Sequence, residues 1–244
     1  MRLILIHTRW MILELLRQPS YIVSTLAFPS LFYAIFAIPE SKDIFSSNLL
    51  LASFSCFATF GVLFLQFGVG ISQERTKSWH YYLRTLPVNQ TQLIIARFIS
   101  AYFFAFFSVL LLVVLAKIYT PAKMNLLEWL HYFIYLAGGG LVFCLMGLSL
   151  GYFSTEKAAL PIGNMIYLPL SFAGGLWKPP QVLPEFLKEI SVYLPTRQYG
   201  EIIWSSVSGQ SIDLKNVYFL IIYAFLFFLL SILGLRRDHN ARFR

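Results

Sequence analysis

Residues 73–92, QERTKSWHYYLRTLPVNQTQ, form a polar and basic segment between two long apolar runs. Wound as a helix, this segment places its large apolar side chains at positions i, i+3, i+4 and i+7, which gives it one apolar face. Pro87 then ends the helix. The basic residues favour the cytoplasmic side of a membrane. The pattern therefore predicts a cytoplasmic helix over 73–87 that a soluble partner can bind through Trp79, Tyr82, Leu83 and Leu86.

The whole chain is far more apolar than a soluble domain of its length. Of its 244 residues, 58% are hydrophobic and 12% are charged, and the mean hydropathy is +0.68. A helix needs roughly 20 apolar residues to cross a hydrocarbon core, and it satisfies its own backbone hydrogen bonds there. We expect an all-α integral membrane protein, one domain over 1–244 with six transmembrane helices. The expected spans are about 21–38, 49–71, 90–116, 130–152, 158–177 and 217–235.

Two further segments are amphipathic rather than uniformly apolar. Wound as a helix, residues 1–18 gather apolar side chains on one side and mainly basic side chains on the other, so we expect a helix lying in the plane of the membrane interface. Residues 178–215 carry too many charges to cross the membrane, but their apolar side chains recur at helical spacing. They predict two short amphipathic helices, divided at Pro195, that rest on or dip into the outer leaflet.

Glycine and proline mark special positions in three spans. Pro29 should kink the first span unless neighbouring groups satisfy the carbonyl that it frees. Gly147 and Gly151 let another helix approach the fourth span closely, either within the subunit or between subunits. The fifth span is broken by prolines and glycines, so it should face the protein interior, where a loosened backbone is tolerated.

The charge distribution predicts the orientation of the chain. Six spans put both termini on one side, and that side carries 12 of the 19 Lys and Arg residues but only four of the 11 acidic residues. Both termini are therefore expected in the cytoplasm, and Arg97 is expected to snorkel toward the cytoplasmic surface. Because the basic residues are spread over membrane edges, they do not indicate nucleic-acid binding.

The sequence lacks the motifs of several functional classes. It has no P-loop, so it does not bind ATP by that route, and no Asp or Glu lies deep within an expected span, as ion-driven carriers usually require. Cys56 and Cys144 lie in apolar runs without metal-ligand spacing. No catalytic constellation is apparent. A bundle that takes its energy from a separate partner fits this pattern best.

Two stretches resemble the membrane-spanning subunits of type-2 ABC transporters, which act as exporters. Glu74-Arg75 followed by 83–87, LRTLP, is similar to that family's E-R-x…L-x-x-x-P stretch, and residues 168–204 resemble its pattern of small residues, an aromatic, a proline, L-P-x-x-L and a later P-x-x-Y. The bulky run 79–82, WHYY, and Lys178 depart from the family pattern. With the six spans, the resemblance covers essentially the whole chain.

The resemblance implies a multi-pass protein of a bacterial inner membrane, in contact with membrane lipids. Two such subunits, identical or paralogous, would pair, and each would bind a cytoplasmic ABC ATPase that holds ATP and Mg; no cofactor is expected in this chain. The alternative for segment 73–87 is a loop that merely anchors two spans. The residues expected to contact the ATPase are Glu74, Arg75, Trp79, Leu83 and Arg84.

The expected substrate path is polar but has few charges, which suits an amphiphile such as a drug-like compound, a lipid or a lipid-linked product. Lys178 either meets an anionic substrate at the outer exit or is an ordinary interfacial lysine. Two other functions stay open: a channel or carrier that works without an ATPase, and a membrane-embedded assembly factor or enzyme. The candidate path residues are Gln66, Asn164, Tyr167, Ser171 and Lys178.

Overall fold

The computed structural model describes residues 2–77 and 90–241, with side chains described for 3–77 and 91–238. These residues are helical almost throughout, and no strand occurs among them. Most of the predicted segment 73–87, including Trp79, Leu83 and Arg84, lies outside the described residues. The helices are α1 (Arg2–Leu16), α2 (Pro19–Glu40), α3 (Ile44–Thr76), α4 (Gln90–Tyr119), α5 (Leu126–Phe153), α6 (Glu156–Ala173), α7 (Glu185–Ser191), α8 (Pro195–Ser208) and α9 (Leu214–Ala241).

Five helices in the described part of the chain are long and apolar enough to cross a membrane: α2, α3, α4, α5 and α9. They correspond to five of the six expected spans. The other expected span, 158–177, is present as α6, but α6 does not reach the same hydropathy. It begins with Glu156 and Lys157, contains Asn164 and two prolines, and ends at Ala173. The all-helical membrane fold is confirmed, and the count of six spans stays a prediction.

Helix α3 is the central element of the bundle. In its most apolar stretch 83% of the residues are buried, against 22% in α2 and 17% in α9. Phe54, Phe57, Phe60 and Phe64 are all fully buried along it. A helix that is apolar on every side is stable only when other helices surround it, and α3 meets this condition.

Pro29 lies near the middle of α2, and the structure accommodates it with help from α4. Proline has no N–H to donate to the carbonyl four residues earlier, which belongs to Thr25. The buried hydroxyl of Ser108 on α4 donates to that carbonyl at 2.9 Å. The helix also widens to π geometry before and after Pro29, at Val23–Ala27 and Tyr33–Ala37. A neighbouring helix therefore satisfies the freed carbonyl, which is the condition under which the sequence does not predict a kink.

The two glycines of the fourth expected span form a crossing within the subunit. A Cβ atom added at Gly147 would lie 2.7 Å from the backbone oxygens of Leu63 and Phe64 on α3, and one at Gly151 would lie 2.7 Å from Ile71. Such contacts are shorter than any side chain tolerates. Helices α3 and α5 therefore meet backbone to backbone, and the choice left open by the sequence is decided in favour of this intramolecular contact.

The segment 178–215 contains the two expected short helices, α7 and α8, and α8 begins at Pro195 as expected. Helix α8 is deeply inserted, because ten of its residues are buried. The hydroxyl of Tyr199 donates to the carbonyl of Leu136 on α5 at 2.9 Å, and the indole N–H of Trp204 donates to Ser53 on α3 at 2.8 Å. Helix α8 is thus a wedge between α3 and α5.

Helix α1 packs along α4 through one face. Thr8 is buried on that face, and Ile12 and Leu15 contact the core, whereas Leu5 and Trp10 are largely exposed. Exposed apolar side chains on a helix at the edge of a membrane bundle are compatible with the expected interfacial position. Only part of the apolar surface of α1 is used for packing within the chain.

Candidate functional site: a polar junction and two joined chambers

The last turn of α3 carries the charges that precede the undescribed segment 78–89. Glu74 forms an ion pair with Arg97 of α4 through Oε2 and Nη2. The side chain of Arg97 is only 14% exposed. An acidic partner in the last turn of α3 therefore holds Arg97, and the expectation that it snorkels toward the cytoplasmic surface stays a prediction.

Arg75 joins three helices. Its Nη2 and Nε donate to Oδ1 of Asp238 on α9 at 2.5 and 3.0 Å, and its Nη1 donates to the carbonyls of Gly151 and Tyr152 at 2.5 and 2.8 Å. The last carbonyls of a helix lack partners within the helix and carry partial negative charge. The guanidinium of Arg75 therefore stabilises the C-terminal end of α5 and attaches α9 to it.

Thr76 and Lys77 contact two further helices. The hydroxyl of Thr76 donates to Oε2 of Glu156, at the start of α6, at 2.7 Å. Lys77 lies 3.8 Å from Oε1 of Glu14 on α1, and both side chains are more than half exposed. An exposed ion pair at this distance contributes little stability, so Lys77 and Glu14 can separate readily.

Four consecutive residues, 74–77, thus reach five helices: α4, then α5 and α9, then α6, then α1. We call these residues and their partners the junction. Two of the five predicted ATPase contacts, Glu74 and Arg75, lie in it, and their side chains are engaged inside the chain. Any displacement of the chain immediately after residue 77 would act on α4, α5, α6 and α9 through these contacts, and more weakly on α1 through the exposed Lys77–Glu14 pair.

A cavity of about 390 Å³, which we call the polar chamber, lies beside the junction. Parts of α1, α2, α3, α4 and α6 line it, and its described lining includes two acidic and two basic side chains. The formal charges of these four described side chains balance. The rest of its lining comes mainly from apolar side chains of α1 and α3, with Leu160 of α6. Its polar lining includes Glu14, Gln18, Ser24, Gln66, Gln73, Glu74, Lys77, Arg97 and Ser100.

A second cavity of about 340 Å³, the apolar chamber, lies between α2, α3 and α6. Three of the five predicted path residues, Gln66, Asn164 and Tyr167, line it together. Gln66 and Asn164 make no side-chain hydrogen bond within the described residues, so their amide groups are available to a ligand. The ring of Tyr167 stacks on Phe57 at 5.0 Å, and its hydroxyl donates to the carbonyl of Phe57 at 3.1 Å.

The other two predicted path residues lie elsewhere. Ser171 is fully buried, and its hydroxyl donates to the carbonyl of Tyr167 one turn earlier at 2.7 Å. Lys178 is exposed after the end of α6 and lines neither chamber. The structure therefore brings together three of the five predicted path residues and leaves out Ser171 and Lys178.

The two chambers share three lining residues: Ser24, Gln66 and Leu160. They are consequently adjacent, with Gln66 at their boundary. One chamber offers charged and amide groups, and the other offers mainly apolar surface. This division matches the two parts of an amphiphilic molecule, a polar headgroup and an apolar body.

The described residues offer no metal centre, since no group of three or more His, Cys, Asp or Glu side chains lies close enough among them to hold an ion. Cys56 and Cys144 are both buried and unpaired. The polar groups of the candidate site are instead charged side chains, amides and hydroxyls. Such groups bind and orient a molecule by hydrogen bonds and charge.

Comparison with known proteins agrees with this architecture. The family model described as "ABC-2 type transporter" matches residues 2–207. The chain belongs to the ABC-2 type transporter family. It is also similar to "Putative transport permease YvfS" of Bacillus subtilis (strain 168), with 26% identity over 224 residues that cover 89% of this chain and 91% of that protein. No solved structure matches the chain. The resemblance inferred from the two motifs is confirmed, and the chain is a transport permease of the ABC-2 type.

In this ABC-2 permease, sequence reasoning missed most partners in the junction. Glu74 and Arg75 attract attention through the E-R motif, but Glu14, Glu156 and Asp238 carry no local signal of their roles. Arg97 does carry one, since a single charge inside an apolar run either reaches the surface or has a partner. A search for an acidic partner on the neighbouring span would have found Glu74.

Proposed function

We propose that the chain is the membrane-spanning permease subunit of an ATP-driven ABC exporter, and that a separate cytoplasmic ATPase binds segment 73–87. The junction is the observation that carries this proposal. A force applied by a partner just beyond Lys77 reaches five helices through four consecutive side chains. An energy source outside the membrane requires such a connection, whereas a channel that opens without an ATPase does not.

The proposed orientation places the junction in the cytoplasm and both termini on the same side, in a bacterial inner membrane. The positive-inside bias supports it. In the structure the end of α3, the first turns of α4 and α6, and the last turns of α5 and α9 contact one another at the junction. The elements that the charge pattern assigns to the cytoplasm are therefore neighbours, which supports one consistent orientation.

In the proposed cycle the ATPase binds ATP and Mg, and this chain holds no cofactor. ATP drives the transition only if the complex binds it more tightly in one conformation than in the other. The ATPase contacts Trp79, Leu83 and Arg84, while Glu74 and Arg75 transmit the displacement to the bundle. A second permease subunit, identical or paralogous, completes the exporter.

The proposed substrate is an amphiphile, such as a drug-like compound, a lipid or a lipid-linked product. The apolar chamber supports this class, because it combines apolar walls with two amide side chains, Gln66 and Asn164, that have no protein partner among the described residues. A free inorganic ion would find no compensating charge among the described residues that line it. Transport proceeds from the cytoplasm or the inner leaflet outward.

The proposal is tested by a pull-down of the tagged permease from its own cells in mild detergent. The double variant Leu83→Asp and Arg84→Glu places two acidic groups on the predicted docking face. We expect a nucleotide-binding subunit to copurify with the unmodified permease and to be lost with this variant, because the change removes an apolar contact and reverses a charge.

The matched control is Ile190→Asp with Lys188→Glu on α7, which makes the same kinds of change at the opposite, proposed outer end. This control should retain the ATPase. If a folded, monodisperse permease brings down no ATPase, the exporter proposal fails. Loss of the ATPase in both double variants would mean that the effect does not depend on segment 73–87.

A further inference from the structure

Arg97 has hydrogen-bonding capacity that the protein does not use. A guanidinium carries five N–H donors, and the interaction of Arg97 recorded among the described residues is the ion pair from Nη2 to Glu74. Its Nε is buried and has no hydrogen-bond partner in this part of the chain. A buried donor of a charged group without an acceptor is unfavourable, so this position needs an explanation.

The polar chamber supplies the place for an acceptor. Arg97 lines it, together with Lys77, whose side-chain ion pair within the described residues is the long, exposed one with Glu14. Ser100, Gln18 and Gln73 add further hydrogen-bonding groups to the wall. An oxygen-rich group in this chamber would accept from Arg97 and draw Lys77 away from Glu14. Guanidinium groups bind phosphate and carboxylate oxygens especially well.

Charge balance restricts the ligand further. Among the described lining residues, Glu14 and Glu74 offset Lys77 and Arg97, so these four side chains create no net positive field that would concentrate a small free anion. Affinity must then come partly from apolar surface, and the adjoining apolar chamber provides it across Ser24, Gln66 and Leu160. Each chamber has the volume of a typical ligand site.

We propose that the polar chamber binds the anionic oxygen headgroup, phosphate or carboxylate, of an amphiphile whose apolar part occupies the apolar chamber, with Arg97 as the main headgroup ligand. This proposal rests on the proposed function, because it names the substrate class of the exporter. The junction then has a second role, because Glu74 and Lys77 belong both to it and to the headgroup site. A bound headgroup changes the same ion pairs that connect α3 to α1 and α4.

The test measures binding to the purified permease alone, in non-ionic detergent, by native mass spectrometry. The probes are lysophosphatidic acid and laurate, which have both an anionic headgroup and an acyl chain, inorganic phosphate, which lacks the chain, and monoacylglycerol, which lacks the anionic group. We expect lysophosphatidic acid or laurate to bind at least ten times more tightly than phosphate or monoacylglycerol. Arg97→Gln should weaken that binding about 10- to 100-fold, the usual effect of losing charge-assisted hydrogen bonds. Arg97→Lys keeps the positive charge but not the planar guanidinium group, so it should retain part of the affinity that Arg97→Gln loses.

A second pair of variants tests the chamber without altering Arg97. Gly70 lines the polar chamber, and a Cβ atom added there meets no atom within 4 Å. Gly70→Leu should therefore fill the chamber, leave the helix intact and weaken binding by at least tenfold. Gly138 on α5 has equally open surroundings but lines neither chamber. The matched variant Gly138→Leu should bind like the unmodified protein.

The proposal is overturned if neither anionic amphiphile binds, if inorganic phosphate binds as tightly as they do, or if Gly70→Leu and Gly138→Leu are indistinguishable. Because this assay contains no ATPase, its outcome is independent of the pull-down. Headgroup binding without a copurifying ATPase would contradict the exporter alone. A copurifying ATPase without headgroup binding would contradict the headgroup site alone.

Discussion

Among single residues, Ser108 has a role that depends on a proline in another helix. Its hydroxyl donates to the carbonyl of Thr25, four residues before Pro29, inside the bundle. We expect Ser108→Ala to lower the free energy of unfolding by about 1–2 kcal/mol, because a buried acceptor loses its donor. Thermal unfolding of the purified protein in detergent measures this change.

The control for this prediction is the same substitution in a Pro29→Ala background. Alanine at position 29 has an N–H that can donate to the Thr25 carbonyl. Ser108→Ala should therefore lower the free energy of unfolding clearly less in this background. The difference between the two backgrounds is the coupling of the pair. Equal costs in both backgrounds would mean that Ser108 contributes through packing and not through this hydrogen bond.

The sequence indicates which residues matter in the junction but not what each one contacts. Glu74 and Arg75 are predicted as ATPase contacts from their motif, whereas their side chains bind Arg97 and Asp238 inside the chain. Arg75 and Asp238 are separated by 163 residues. A pairing over this distance depends on how α3, α5 and α9 pack, and local periodicity contains no information on that packing. The docking role of both residues stays a prediction.

Between elements, the crossing of α3 and α5 is the contact most sensitive to side-chain size. Gly147 leaves no room for a Cβ atom, since the obstructing atoms are backbone oxygens that cannot rotate away. We expect Gly147→Ala to destabilise the protein by about 1–3 kcal/mol, in the range of overpacked cores. Comparison of unfolding midpoints in one detergent measures the effect.

Gly138→Ala on the same helix is the matched control, because a Cβ atom there meets nothing within 4 Å. It should be neutral or slightly stabilising, as alanine favours a helix more than glycine does. If Gly147→Ala is as mild as Gly138→Ala, α3 and α5 do not pack as closely as described.

The elements also differ in how well their sequences predict them. The long apolar runs predict α2, α3, α4, α5 and α9, and these helices extend beyond the expected bounds by a few residues. Helix α8 is harder to place, because its mixed sequence suits either a membrane surface or a buried wedge. Its burial comes from tertiary partners: Leu136 accepts from Tyr199, and Ser53 accepts from Trp204. The two chambers likewise lie between helices that are distant in sequence. The sequence therefore indicates several of the lining residues but not which of them lie together.

For the whole molecule, the open question is whether α6 crosses the membrane, since this decides on which side the C-terminus lies. Eighteen residues of helix extend about 27 Å, close to the hydrocarbon thickness of about 30 Å. Helix α6 starts at the junction, where Thr76 binds Glu156, and the chain just after it places Trp177 against Phe32 and Phe57. These contacts lie along α2 and α3 far from the junction, which favours a crossing.

We therefore predict that the two ends of α6 are accessible from opposite sides. Lys157 and Lys178 are both exposed, which makes Lys157→Cys and Lys178→Cys a matched pair, and the buried Cys56 and Cys144 give little background. In intact cells an impermeant maleimide should label the cysteine at 178 but reach the cysteine at 157 only after the membrane is opened. Equal labelling of both positions in intact cells would mean that α6 does not cross. The odd number of spans would then place the termini on opposite sides, and the charge argument for two cytoplasmic termini would fail with it.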